Sequence, residues 1–151
     1  MSGLYFDEFT VGQVFEHSIR RTVTEMDNVL FSALTHNPAA LHIDEEYCKT
    51  ETEFGQRIVN SSFTLGLMVG ITVGDTTLGT TVANLGWNDV RFPKPLFHGD
   101  TLYAETVITE KRESKSRPGE GIVTFAHTGR NQHGDIVATA SRKTMVRKKP
   151  V

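Results

Sequence analysis

The sequence predicts an α+β fold in which a long, curved antiparallel sheet wraps around one buried helix. Three observations predict it. Apolar residues recur at helical spacing in the first half of the chain, and four β-rich runs follow in the second half. The segment 63–73 is apolar on nearly every side, as expected of a helix that is covered all round. No internal repeat or Pro/Gly-rich linker interrupts the chain, so we expect a single domain, 1–151.

The first half begins with a predicted strand and an amphipathic helix. Residues 13–23 are predicted to form a strand, because their apolar residues share one face of a period-two pattern. Thr24 lies three residues before Asp27, a capping-box signal for a helix of about three turns. Asn37-Pro38 ends this helix, since the residue before proline is pushed out of the helical region. Its apolar residues are Met26, Val29, Leu30, Ala33 and Leu34.

Two further helix starts are predicted from capping residues. Asp44 caps a short helix that stops near Gly55. Ser61 or Ser62 caps the apolar segment 63–73. Because that segment is apolar all round, we expect it to be buried all round.

Four predicted strands make up the second half. Short polar loops join them in sequence, which favours an antiparallel sheet over a parallel one that needs crossover helices. The four runs are 82–92, 102–113, 122–130 and 136–146.

Composition excludes several functional classes. A net charge of -2 gives no global electrostatic reason to bind nucleic acid or an anionic membrane. Residues 1–9 contain no Lys or Arg, so no secretory signal is expected, and no run is long enough to span a bilayer. Cys48 is the only cysteine, and the histidines have no metal-ligand spacing. We therefore expect a cytoplasmic protein without a metal site.

The one concentrated stretch of chemistry lies between Asn37 and Ser62. His42 sits in a loop broken by proline, and a turn of small residues then opens the apolar helix. A histidine can exchange a proton near neutral pH, and the start of a helix can stabilise an anion. Together they predict an acid/base site beside an anion-stabilising helix terminus.

Several segments in this order resemble the MaoC-like (R)-specific enoyl-CoA hydratases. The resemblance rests on Asn-Pro through Leu-His-Ile-Asp at 37–44, Phe-Gly through Ile-Val-Asn-Ser at 54–61, the opening at 6–12 and the turn at 92–102. It implies the hot-dog fold, a curved antiparallel sheet around a central helix. It also implies reversible hydration of a 2-enoyl-CoA or related acyl-CoA thioester, with the CoA ester as substrate and no cofactor.

The resemblance also implies roles for individual residues. The family motif, Asp-x-Asn-Pro-x-His, places an Asp and a His around one water, and a backbone N–H at the start of the central helix binds the thioester oxygen. His42 matches the histidine and is the expected acid/base. Counting back five residues gives Asn37, which we expect to orient water or substrate, whereas aligning the Asn-Pro pair places Thr35 at the Asp position. Asn60 and Ser61 are candidates for oxyanion or substrate binding, with a plain helix cap as the alternative.

A basic group near the predicted break between the strands 102–113 and 122–130 is a candidate for binding the CoA phosphates. The group contains Lys111, Arg112, Lys115 and Arg117, of which the last three are the candidates for phosphate binding. The alternative is a solvated strand end, because Glu110 and Glu113 are interspersed.

Two other functions stay open at this point. Hot-dog thioesterases commonly activate water with a carboxylate on the central helix, but 63–74 contains no Asp or Glu. The other alternative is an acyl-CoA-binding module that has lost catalysis. In every case the expected partner is an acyl-CoA, with no nucleic acid or membrane. The unpaired edges of such a sheet also predict a homodimer or an assembly of dimers.

Overall fold

Five strands form one antiparallel sheet in the computed structural model, which describes residues 3–151. The strands are β1 Val14–Thr22, β2 Thr81–Arg91, β3 Thr101–Glu113, β4 Glu120–Arg130 and β5 Ile136–Arg147. Their order across the sheet is β1-β3-β4-β5-β2, so β1 and β2 are its edges. Each predicted strand differs from the observed one by at most two residues at either end. Residues 1 and 2 of the predicted domain and N-terminal segment lie outside the described residues.

The helices of the described chain all precede β2. They are a short 3₁₀ turn, Phe6–Glu8, followed by α1 Glu25–Leu34, α2 Ala40–Ile43, α3 Glu45–Glu51 and α4 Ser61–Thr76. Two predicted caps are confirmed. Thr24 and Asp27 form a reciprocal capping box at the start of α1, and the Asp44 side chain accepts the N–H of Tyr47 in α3 at 2.9 Å.

The segment around His42 is more regular than the sequence predicts. It forms the single turn α2 rather than a loop, because the Asn37 side chain turns the chain by accepting the N–H of Ala39. Before it, α1 ends with His36 in the left-handed region at φ 58°, and the Asn37 N–H donates back to Ser32 O at 2.9 Å. The third helix, α3, ends at Glu51, earlier than the expected stop near Gly55.

Helix α4 packs its buried side against the sheet, and its other side is open within one chain. Met68 and Ile71 pack with residues of β3 and β5. The expectation of burial all round is wrong, because Gly66 and Gly70 are exposed, and a Cβ built on either would meet no atom of residues 3–151 within 4 Å apart from adjacent residues and the backbone of α4 itself. None of the described helices combines the length and apolarity that crossing a membrane requires.

The buried side of α1 is polar. Asn28 and Ser32 are both 0% exposed, whereas Met26, Leu30 and Leu34 are each at least half exposed. The apolar pattern of this helix therefore marks a surface that the other residues of the described range, 3–151, leave open.

A chain of buried hydrogen bonds fixes the far end of α4 to the sheet. Arg142 Nε donates to His127 Nε2 at 3.3 Å, so the neutral His127 ring donates from Nδ1 to Thr106 Oγ1 at 2.8 Å. The Thr106 hydroxyl then donates to His17 Nε2, and His17 Nδ1 donates to Asp75 of α4, both at 2.9 Å. Burial, together with the charge of Arg142, lowers the pKa of His127 to about 3. These two histidines therefore hold strands and helix together.

Candidate active site

His42 is oriented so that one ring nitrogen is left for proton transfer. The residue is 9% exposed, and its Nδ1 lies 2.8 Å from the carbonyl oxygen of Ile58. A carbonyl can only accept, so Nδ1 carries the hydrogen and the neutral ring has its lone pair on Nε2. The chemistry available to His42 is therefore that of a base through Nε2.

Asn60, rather than Ser61 or Ser62, is the cap of α4. Its Oδ1 accepts the N–H of Ser62 at 3.1 Å, and its Nδ2 donates to Ser32 Oγ at 3.4 Å. Its own N–H donates to Asn28 Oδ1 at 2.8 Å. An asparagine side chain reaches the second helical N–H as well as a serine does, so the cap predicted at Ser61 or Ser62 is wrong, and the alternative of Asn60 as a helix cap is confirmed. Both nitrogens of Asn60 therefore donate a hydrogen bond inside the chain, which leaves one Nδ2 hydrogen without a partner among residues 3–151.

Ser61 supplies a free backbone donor at the start of α4. Its N–H makes no hydrogen bond within residues 3–151, and neither does that of Phe63, whereas Thr64 N–H bonds to Asn60 O at 3.1 Å. The first turn of a helix carries partial positive charge. An oxyanion placed against the Ser61 N–H would therefore gain both a hydrogen bond and a favourable dipole.

Asn28 joins His42 to this helix start. Its Oδ1 accepts from Asn60, and its Nδ2 lies 3.0 Å from Ile58 O and 3.3 Å from His42 O. The same Nδ2 lies 2.9 Å from His98 Nε2. The sequence does not single out Asn28, because nothing in the pattern of α1 distinguishes this residue from a solvated one.

Arg57 fixes the segment that leads into α4. Its guanidinium donates to Glu45 of α3 at 2.7 Å and pairs with Glu25 of α1 at 2.9 Å. On the other side, Val59 N–H donates to Leu96 O at 2.8 Å. The residues between Arg57 and Asn60 are thus held by two helices and by the loop before β3.

A cavity of about 300 Å³ lies beside the start of α4. It is mostly apolar, apart from Ser61, Thr64 and the exposed Lys94. Its apolar lining includes Phe54, Val59, Phe92, Pro95 and Leu96. The cavity could receive a small acyl group with its carbonyl near the Ser61 N–H.

Asn37 lies apart from this cavity. Its Oδ1 accepts the N–H of Ala39 at 3.1 Å, and no hydrogen bond joins Asn37 to His42 within residues 3–151. It lines a different cavity, of about 380 Å³, between α1 and α2. Ser32 lines that second cavity and also contacts Asn60, so the two cavities flank the cap of α4. The orienting role of Asn37 stays a prediction.

The predicted CoA-phosphate residues lie at the other end of the sheet. Arg112 is near the β3–β4 turn, where it pairs with Ile122, and Arg117 forms an ion pair with Glu120 at 3.2 Å. Thr101, at the end of β3 nearer to α4's start, is eleven residues away, or roughly 35 Å along an extended strand. Within one chain, Arg112, Lys115 and Arg117 are therefore not brought together with His42.

Neither Asp44 nor a metal site contributes to this cluster within residues 3–151. Asp44, the nearest carboxylate to His42 in sequence, is used as the cap of α3. Within residues 3–151, no group of three or more His, Cys, Asp or Glu side chains could hold a metal ion.

Comparisons with known sequences identify related proteins over most of the chain. The family model for the MaoC like domain matches residues 7–131. Mesaconyl-CoA hydratase of Cereibacter sphaeroides is 33% identical over 98% of this chain and 42% of its own length. β-Methylmalyl-CoA dehydratase of Chloroflexus aurantiacus is 31% identical over 97% of this chain and 41% of its own length. The chain thus spans about two fifths of the length of these curated relatives.

Solved structures confirm the predicted hot-dog fold. A monoamine oxidase regulatory protein from Archaeoglobus fulgius superimposes with a TM-score of 0.85 at 33% identity, covering 98% of this chain and 97% of its own. A Mycobacterium tuberculosis protein described as having a double hot-dog fold gives a TM-score of 0.88 at 24% identity. That match covers 98% of this chain and 45% of the mycobacterial one.

Proposed function

The chain belongs to the MaoC-like domain family, and we propose that it catalyses the reversible hydration of a 2-enoyl-CoA or related acyl-CoA thioester. The observation that carries the proposal is the hydrogen-bonded cluster around Asn28. It joins a histidine with a free Nε2 to a helix start with a free N–H. A base and an oxyanion donor are the two groups that addition of water to a conjugated thioester most needs.

His42 alone balances the proton transfers of this reaction. Its Nε2 takes a proton from water as the water oxygen bonds to C3 of the enoyl group. The electron pair of the double bond moves toward the thioester oxygen, where the Ser61 N–H stabilises the enolate. Nε2 then returns the proton to C2, so that one water is added and no cofactor is consumed.

The neighbouring asparagines have supporting roles in this proposal. Asn37 lines the second cavity, so its proposed role is to orient water or substrate on that side of the α4 cap, through its Nδ2 group, since its Oδ1 accepts the N–H of Ala39. Asn60 contributes as the cap that holds the first turn of α4 in place. An amide in place of the family's Asp cannot accept a proton, which leaves the base role to His42.

The substrate is proposed from the chemistry of the cavity and from the relatives' names. A cavity of about 300 Å³ with an apolar lining suits a short acyl chain. The relatives are named for mesaconyl-CoA and β-methylmalyl-CoA. If Arg112, Lys115 and Arg117 bind CoA phosphates, their position at the far end of the sheet requires a CoA held at the site of another subunit.

Hydration can be tested by following the absorbance of the conjugated thioester. With purified protein, this absorbance is expected to fall for at least one of three substrates, which are crotonyl-CoA, mesaconyl-CoA and a branched enoyl-CoA. No turnover of any of them, under conditions where a known hydratase works, would contradict the proposal. Binding of a CoA thioester by calorimetry without product would instead identify a binding module.

The positions of the carboxylates on α4 do not support a thioesterase activity, because none lies near the start of the helix. Asp75 is the one acidic residue of α4, and it lies roughly 20 Å along the helix from Ser61. It is also hydrogen-bonded to His17. Release of free CoA thiol from a saturated acyl-CoA would favour a thioesterase over the proposed hydratase.

We propose that the protein assembles as a homodimer or an assembly of dimers. The edge strands β1 and β2, the glycine side of α4 and the apolar side of α1 are all uncovered within one chain. Proteins pair or cover such edges. Light scattering at micromolar concentration is expected to give at least twice the monomer mass. A monomer that retains activity would contradict this prediction.

A further inference from the structure

Asn28 is a fully buried polar side chain whose hydrogen-bonding groups are all used. Its single acceptor faces the Asn60 N–H at 2.8 Å. Its amide nitrogen faces three acceptors, which are Ile58 O at 3.0 Å, His98 Nε2 at 2.9 Å and His42 O at 3.3 Å. These partners belong to three segments that are separate in sequence, so one carboxamide on α1 connects all of them.

We infer that Asn28 is a positioning residue, which fixes the His42 ring relative to the first turn of α4. The inference rests on the proposed hydration. Ile58 O accepts both from Asn28 and from His42 Nδ1, so a shift of this carbonyl would turn the imidazole. On the other side, Asn28 accepts the N–H of Asn60 and so fixes the residue directly before Ser61, whose own N–H makes no hydrogen bond within residues 3–151.

Only a carboxamide matches this environment. One side of the group must accept from an N–H and the other side must donate to carbonyl oxygens. In Asn28→Asp the acceptor for Asn60 is retained at nearly the same volume. The second carboxylate oxygen would then face the oxygens of Ile58 and His42 without a hydrogen to offer, which is repulsive at these distances.

The pKa of His98 reports on the Asn28 side chain independently of catalysis. Because Asn28 donates to Nε2, a proton on this nitrogen would face another donor. Burial and the charge of Arg57 lower the pKa of His98, while Glu25 and Glu45 raise it by less. A carboxylate at position 28 would attract a proton to His98 Nε2, so Asn28→Asp should raise the pKa of His98.

The test compares wild type, Asn28→Asp and Gln13→Glu as the matched amide-to-acid control. Gln13 lies directly before β1, and its side-chain oxygen accepts the N–H of Thr10, an interaction that glutamate keeps. We expect Asn28→Asp to lower kcat for the enoyl-CoA about 100-fold with little change in KM, since small displacements of reacting groups have effects of this size. The control should retain wild-type kcat.

Nuclear magnetic resonance supplies a second readout. In wild type we expect slow exchange of the Asn60 amide, faster exchange of the Ser61 amide, and His42 protonated at Nδ1 when neutral. In Asn28→Asp the His42 and Ser61 resonances should shift and the pKa of His98 should rise. Rapid exchange of the Asn60 amide in wild type would overturn the inference even if the variant does not fold.

The outcomes separate this inference from the proposed reaction. If wild type has no hydratase activity but the resonances shift as expected, the proposed function fails and the positioning role of Asn28 stands. If a folded Asn28→Asp raises the pKa of His98 yet leaves kcat or the His42 resonances unchanged, Asn28 does not position the site.

Discussion

Replacing His42 by alanine is expected to lower kcat for enoyl-CoA hydration about 10³-fold, within the range attributed to a general acid/base. The physical reason is that Nε2 of His42 is the proposed acceptor of the water proton. Its Nδ1 is held by Ile58 O, so no other atom of the ring is available. The measurement is steady-state turnover of the enoyl-CoA, with circular dichroism to check the fold.

His36→Asn provides the matched control for this variant. His36 lies in the same stretch, but at φ 58°, a conformation that asparagine adopts readily. It should therefore leave both the fold and kcat near their wild-type values. Equal losses in His42→Ala and His36→Asn would show that the effect comes from the loop and not from proton transfer by His42.

Replacing Ser61 by proline is expected to lower kcat about 10²- to 10³-fold, the loss measured when one oxyanion donor is removed. Proline lacks the N–H that is proposed to bind the thioester oxygen, yet it is well accepted at the first position of a helix. Asn60 before it has φ -56° and ψ 124°, which suits a residue that precedes proline. The substitution therefore removes one hydrogen-bond donor with little expected change in structure.

Ser61→Ala is the control, because alanine keeps the backbone N–H and removes only an exposed hydroxyl. We expect it to change kcat by about twofold or less, the usual outcome when a side chain outside the reacting contacts is shortened. Should Ser61→Ala lose as much activity as Ser61→Pro, the hydroxyl rather than the N–H would be the functional group.

The features predicted well from sequence are those that depend on neighbouring residues. The Thr24–Asp27 capping box, the Asp44 cap and the bounds of the strands follow from short-range hydrogen bonding and from alternating side chains. His42 was proposed as a site residue because its family motif is local. The cap of α4 was left open among Asn60, Ser61 and Ser62, since all three side chains can accept from a helix N–H, and the structure identifies Asn60.

The features that were missed depend on contacts between distant segments. Asn28 looks like a surface residue of an amphipathic helix, and only the packing of α1 against the start of α4 turns it inward. The exposure of the glycines of α4 could not be predicted for a related reason. The apolar pattern of a helix does not tell whether the same chain or another molecule covers each of its sides. The large separation of Arg112 from His42 follows from the strand register, which one sequence leaves open.

The most direct test of the central claim uses water labelled with oxygen-18 and a single enoyl-CoA that the protein consumes. Mass spectrometry of the product is expected to find one labelled oxygen on C3 of an intact CoA thioester, and His42→Ala should form this product far more slowly. Label in a free carboxylic acid together with released CoA would contradict hydration and identify thioester hydrolysis instead.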